Sequence, residues 1–178
     1  MPAPIIETSR VLLRHWGDED LEPWIVMNAD PETMLFFPRT SAAEESTASF
    51  QRLKNNLQAN DFGLWAAEEK LSGEFMGFVG ISWQGIPTLS EPKCQEIGWR
   101  LAKRYWGNGY ATEAATEVLN YASKTLKLTE LYSITSELNL PSINVMKKIG
   151  LQPRPELSFL HPRVPEGSPL RPHVVYSL

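Results

Sequence analysis

The residues whose types and spacing most directly promise chemistry run Trp106-Gly107-Asn108-Gly109-Tyr110-Ala111-Thr112. Two glycines one residue apart let the backbone take positive φ and approach a ligand closely. The segment sits between a β-rich stretch and the best-patterned helix of the chain. A helix start leaves backbone N–H groups unpaired, and its dipole favours negative charge. The turn therefore reads as a site for a phosphate or pyrophosphate, while plain strand-to-helix geometry explains the same glycines. The chain contains no G-x-x-x-x-G-K-[ST], which excludes a P-loop nucleotidase. A dinucleotide site is the second alternative. Gly107 and Gly109 fill two positions of G-x-G-x-x-G and Glu130 lies near where a ribose-binding acid belongs, but Thr112 holds the third glycine position. The bulky Arg104-Tyr105-Trp106 before the first glycine, and an N-terminal half without repeated βαβ units, argue against it.

The elements that must position this turn follow from periodicity. Gln95 to Ala102 reads as a strand. Ala111, Ala114, Ala115, Val118, Leu119, Ala122 and Leu126 form one apolar stripe of the helix that follows, with Glu113 and Glu117 early and Lys124 and Lys127 late, as the dipole favours. Leu131 to Ser136 is the next strand, and a strand–helix–strand unit of this kind implies a parallel pair. Upstream, Arg10 to Trp16 reads as a strand and Asp18 to Ala29 as a helix capped by Asp18, with Leu21, Trp24, Ile25 and Asn28 on one face. Ser41-Ala42-Ala43-Glu44 fits a capping box for a helix reaching Ala59. Gly63 to Glu69 and Phe75 to Trp83 form a hairpin around Leu71-Ser72-Gly73-Glu74. Pro141 to Ile149 is a short helix closed by Gly150, and His173 to Ser177 a final strand. Six of the fourteen prolines follow Gly150 and forbid a long terminal helix. The fold class is α/β with a mixed sheet.

At 178 residues the chain has room for about one domain, spanning 1–178, that buries roughly 70% of its unfolded surface. A 42% apolar and 21% charged composition is that of a globular protein. No stretch is apolar enough to span a bilayer, and Met1-Pro2-Ala3-Pro4-Ile5-Ile6-Glu7 has no basic, apolar leader pattern, so a cytoplasmic location is expected. One cysteine, Cys94, fits a reducing compartment, and with three scattered histidines makes a metal cluster unexpected. A net charge of −4 does not provide the basic face that nucleic acid requires, so the aromatics Trp16, Trp24, Phe36, Phe37, Trp65 and Trp83 read as core or groove lining.

Taken together, Glu96-Ile97-Gly98-Trp99-Arg100-Leu101 and Trp106-Gly107-Asn108-Gly109-Tyr110-Ala111-Thr112-Glu113-Ala114 resemble the acetyl-coenzyme-A-binding core of the GNAT superfamily of N-acetyltransferases. Thr8 to Arg14, Gly77 to Ile81, and Asn139 to Leu151 are similar to the opening strand, third strand and late helix of its RimJ/RimL-like branch, the ribosomal-protein N-acetyltransferase type. The resemblance runs over roughly residues 8 to 178 and implies a single-domain GNAT fold, acetyl-coenzyme A as cosubstrate, and acetyl transfer to a primary amine by direct attack in a ternary complex. The acceptor it implies is a peptide N-terminus or a small amine, taken by a monomer or homodimer.

The resemblance also distributes roles. The pyrophosphate falls to the loop of Trp106, Gly107, Asn108, Gly109, Tyr110, Ala111 and Thr112, although the family usually opens this loop with Gln or Arg. Backbone amides around Trp99 to Leu101 hold the thioester carbonyl, with Gly98 hinting at a bulge that frees one of them. Asn139 faces the pantetheine arm, and both it and Ser142 also fit simple capping of the late helix. Glu96 is the general base, direct or through water, with Glu137 as rival. The family's usual tyrosine acid is replaced by Met146, which carries no proton to give, so Ser142 takes the role of donor to the leaving thiolate. His161 and His173 lie in the segment that lines the acceptor side, where a structural role is the simpler reading. Lys147 and Lys148 read as complements to a helix C-terminus. The rival from another class is a non-catalytic acyl-coenzyme-A sensor.

Overall fold

A computed structural model describes residues 3–89 and 94–178, so Met1 and Pro2 of the leader segment lie outside the described residues. The strands are β1 (Ile6–Glu7), β2 (Val11–Arg14), β3 (Leu64–Glu69), β4 (Phe75–Gln84), β5 (Cys94–Leu101), β6 (Tyr132–Ser136), β7 (Gln152–Pro153), β8 (Phe159–Leu160) and β9 (Pro172–Ser177). The helices are α1 (Leu21–Ala29), α2 (Ala43–Ala59), α3 (Tyr110–Lys124) and α4 (Leu140–Lys148). One sheet runs β1-β2-β3-β4-β5-β6-β9-β7, with β8 also paired to β9. Every pairing is antiparallel except β5 with β6, whose connection passes through α3 as the sequence pattern requires.

Helices cover both faces. Trp65, which pairs with Val79 on β4, meets Tyr121 of α3 edge-on at 5.9 Å, so the face carrying Trp65, Val79 and, across β5, Trp99 belongs to α3. The alternate face carries Phe78 and Arg100, and Trp24 of α1 packs on Phe78 at 5.9 Å. Trp65, Leu13, Met76, Ile81 and Ile97 are fully buried between the layers. The expected stripe of α3 buries Ala114, Ala115, Val118 and Ala122. The helix stops at Lys124, short of Leu126, because the Thr125 and Leu126 N–H groups both turn back to the Tyr121 carbonyl.

Two start signals are corrected. Asp18 caps nothing: Asp18–Asp20 form a 3-10 turn and α1 begins at Leu21. The buried Asp20 carboxylate is drawn instead to Arg14, at 2.6 and 2.8 Å, and to the Gly17 N–H. The box expected at Ser41 to Glu44 sits one residue later, where Glu45 accepts from the Ala42 N–H at 3.0 Å while holding Arg39.

Candidate active site

The two strands that flank the crossover part almost at once. β5 and β6 share a single register pair, Glu96 with Tyr132. Beyond it Ile97 to Leu101 stay with β4, and Ser133 to Ser136 stay with β9. Backbone groups on the facing edges of β5 and β6 are thereby released from the ladder. The bulge expected at Gly98 is absent: register with β4 is continuous from Cys94 to Leu101, and the one irregularity of the hairpin lies at Ala67/Glu68. Divergence of a parallel pair frees amides near Trp99 and Leu101 without any insertion.

At the end of β5 the chain makes a 3-10 turn, Lys103–Tyr105, and enters the glycine loop. Trp106 is tied back, its Nε1–H donating to the Leu101 carbonyl at 2.7 Å while its ring stacks on Phe36. Gly107 and Gly109 adopt φ of 79° and 84°, and Gly109 is the N-cap of α3. Gly107, Asn108 and Gly109 are exposed. The first N–H groups of α3, from Tyr110, Ala111 and Thr112, thus open onto solvent beside a backbone with no side chain in the way, the shape a pyrophosphate requires.

A clamp that the sequence reading missed fixes this loop. The Glu113 carboxylate, in the first turn of α3, accepts from the Thr8 and Ser9 hydroxyls, from the Arg10 backbone N–H at 2.8 Å, and from the Arg10 guanidinium at 2.7 Å. Burial pushes this carboxyl up, but the Thr8, Arg10 and Ser9 hydrogen bonds outweigh it and hold the group at about 2. Arg10 also donates to the Asn108 carbonyl at 3.1 Å and lies 4.7 Å over the Tyr110 ring. The Tyr110 hydroxyl donates to Glu69. The loop is so anchored to the turn before β2 and to β3, with the Arg10–Glu113 ion pair beside Asn108 and Tyr110. Glu113 fits the dipole rule in the sequence, but no local pattern reports partners about a hundred residues away.

On the α1 face of the diverging strands stand Glu96, Gly98 and Arg100, with Ser82, Gly80 and Phe78 directly opposite on β4. Gly98 leaves a gap without a side chain between Glu96 and Arg100, whereas at Gly80 the Gly63 carbonyl stands where a Cβ would, 2.0 Å from it. Burial pushes the Glu96 carboxyl up to about 7, against the pull of hydrogen bonds from the Gln84 side chain and the Ile134 N–H. Past Ser82 a cavity of about 280 Å³ opens between α2 and the end of β4, lined by Arg52, Asn56, Phe62 and Trp83 among others. Cys94 is buried beside Glu96, and burial first, then that carboxylate, pushes its thiol up to about 11, which removes it as a nucleophile. Glu137, the rival base, is exposed at the surface.

The His161 and His173 rings lie 4.6 Å apart, tilted by 40°, next to Phe159. Burial lowers both, His161 to about 4, so both are neutral near pH 7. Among the described residues no group of three His, Cys, Asp or Glu is placed to hold a metal ion.

Asn139 caps α4: its Oδ1 accepts from the Ser142 N–H at 3.2 Å, and its Nδ2 donates to Thr135 at 3.0 Å. Ser142 is not itself the cap, and its half-buried hydroxyl has no protein partner among the described residues. Met146 is fully buried in the core.

Among the described residues the mixed sheet opens between its one parallel pair, and a glycine turn launches the crossover helix from that opening. Residues 10–152 match the family model described as "Acetyltransferase (GNAT) domain". YkkB of Bacillus subtilis is 32% identical over 145 residues, covering 81% of this chain and 83% of that one. The FsC-acetyl coenzyme A-N(2)-transacetylase of Aspergillus fumigatus is 32% identical over 156 residues, 83% of this chain and 65% of that one. The structure of RimL, the ribosomal L7/L12 alpha-N-protein acetyltransferase in complex with coenzyme A, superposes with a TM-score of 0.77 at 12% identity, covering 98% of this chain and 97% of that one. The chain belongs to the GNAT acetyltransferase family and is an acetyl-coenzyme-A-dependent acyltransferase. The dinucleotide and non-catalytic sensor readings give way to this one.

Proposed function

We propose that the protein transfers the acetyl group of acetyl-coenzyme A to a primary amine, a protein or peptide α-amino group ahead of a small metabolite amine, by direct attack. The carrying observation is the Glu96 carboxylate, desolvated where β5 and β6 part and beside Gly98, which carries no side chain. A base raised to about 7 is ionised above that pH and takes the proton of the incoming ammonium, directly or through water. An α-amino group, with a pKa near 7.7–8.0, is roughly a tenth neutral at pH 7, whereas a lysine near 10.4 is almost wholly charged. A single base of this strength suits the former.

The cosubstrate supplies the acetyl group as an activated thioester. The loop from Trp106 to Thr112 would hold its pyrophosphate, and freed backbone near Trp99 and Leu101 its carbonyl. As the amine nitrogen bonds to the acetyl carbon and the carbon–sulfur bond breaks, the nitrogen sheds its second proton, which the Ser142 hydroxyl at the start of α4 relays to the departing thiolate while remaining protonated itself; the helix dipole also favours that thiolate. Asn139 orients that helix start. The relatives' names support an amine: an alpha-N-protein substrate for RimL and an N(2) position for the Aspergillus enzyme. No helix of the described residues is long and apolar enough to cross a membrane, in keeping with work in the cytoplasm.

The test is a competition for one limiting pool of acetyl-coenzyme A between a peptide with a free N-terminus, its Nα-blocked lysine-containing analogue and a polyamine. The free N-terminus should show the highest kcat/KM. A higher value for either of the others refutes the α-amino preference.

A further inference from the structure

Among the described residues, Arg100 is a cation with no carboxylate paired to it. Its guanidinium lies 4.2 Å from the Phe37 ring centroid, 5.6 Å from that of Phe78 and 5.7 Å from that of Trp24. Its single protein hydrogen bond among the described residues runs from Nη1 to the neutral Asn28 Oδ1, at 2.7 Å. Nε is shut off from water with no partner, while the residue keeps a water-facing edge. Each of the nine ion pairs of the described residues uses another cation. Desolvation lowers Arg100 to about 10; the three ring faces and the Asn28 oxygen repay part of the charge, and no carboxylate among the described residues pairs with it.

Charges withdrawn from water are usually paired, and a guanidinium left with free donors matches a carboxylate edge to edge. Where Arg100 stands matters as much. It shares the α1 face with Glu96, two pleats along β5, and between them Gly98 carries no side chain and has only Glu96 Oε1 near the place of a Cβ, at 4.0 Å. A ligand lying over Gly98 meets an acid at one end and a cation at the other. That complements a molecule with an amine and a carboxylate, and not a polyamine.

We infer that Arg100 holds a carboxylate of the amine acceptor, either the α-carboxylate of an amino acid or the side-chain carboxylate of an acidic peptide N-terminus. The inference rests on Glu96 marking the amine end. Arg100 is then a specificity determinant, and Asn28 a residue that positions it.

The experiment uses two pairs of acceptors. A free amino acid against its carboxamide probes the α-carboxylate. A peptide with an acid at its second position against the matching amide probes the side-chain source. The wild-type protein should favour the acid member of at least one pair by about tenfold or more in kcat/KM, mostly through KM. Arg100→Gln should bring that ratio to about one, and Arg100→Lys should retain part of it. Each ratio is internal to one protein, so loss of folded material lowers both members alike. A wild-type ratio near one in both pairs, or a preference that survives Arg100→Gln, overturns the inference. If no amine is turned over, the proposed reaction fails, and calorimetric titration of the N-acetylated acid and its carboxamide into the wild-type protein with coenzyme A decides separately. Tighter binding of the acid keeps the assignment of Arg100, and equal binding removes it.

Discussion

Gly109→Ala separates the cost of a backbone shape from the cost of a lost site. Gly109 sits at φ 84°, ψ 0°, in the left-handed region, and a Cβ there would meet only Arg10 Nη2 at 3.5 Å, an ordinary contact. The penalty is therefore conformational, about 1–2 kcal/mol for a side chain in that region. If the loop holds its shape, the penalty appears as lost stability. If it relaxes, only the fraction still in the competent shape binds, and affinity for coenzyme A falls by about 5- to 30-fold. Gly167→Ala is the control: Gly167 has φ 80° in an exposed turn of the C-terminal segment with open space around its Cβ, and belongs to no proposed site. Gly167→Ala should lower Tm by the full penalty, and Gly109→Ala by less, because its exposed loop relaxes. Calorimetry with coenzyme A should show weaker binding for Gly109→Ala alone. A smaller Tm loss for Gly109→Ala together with wild-type affinity would show that the loop from Trp106 to Thr112 does not hold the pyrophosphate.

Glu113 is held at about 2, so its contribution to stability is present above the ordinary carboxylate range and is lost as pH falls from about 4.5 through 2, by about 3 kcal/mol. Glu113→Gln should make that acid limb of the urea-unfolding midpoint shallower, and an unchanged limb would mean that the Arg10 clamp contributes nothing. Asp20→Asn removes the more buried of the two carboxylates that Arg14 holds at 2.6 Å and leaves Glu68 in place, so it should cost about 1–3 kcal/mol in urea unfolding. A loss under 1 kcal/mol would show that water or Glu68 compensates. Ser142→Ala should lower kcat more than it raises KM for acetyl-coenzyme A, modestly because a thiol near 8.5 is a fair leaving group. Wild-type kcat with chemistry rate-limiting would remove Ser142 from the reaction.

The parts of the site that follow one another along the chain were legible in it. The α3 stripe, the glycines before it and the strands on either side are set by spacing alone, and the parallel β5–β6 pair follows from the crossover. What escaped the sequence depends on distant partners. Asp20 reads as one more polar residue near a helix start until Arg14, on another element, claims it. Glu45 displaces the expected box because Arg39 fixes its carboxylate. The amides of β5 are freed by where β6 turns towards β9, and nothing local to Gly98 records that choice. Arg100 looks like an ordinary outward strand position, and only the packing of Trp24, Phe37 and Asn28 above it removes it from water. The short β7 and β8 lie within the proline-rich segment, too brief to carry an alternating pattern.

The account turns on Glu96 as the group that deprotonates the acceptor, and the pH dependence of kcat/KM for amine acetylation tests it most directly. The wild-type profile should rise through a midpoint near 7, where the carboxyl ionises, and Glu96→Gln should move the rise up to the ionisation of the amine itself, near 7.7–8.0, and lower the plateau by about 10²- to 10⁴-fold while leaving coenzyme A affinity in place. A Glu96→Gln enzyme within about threefold of wild type, with the same rise near pH 7, would contradict it.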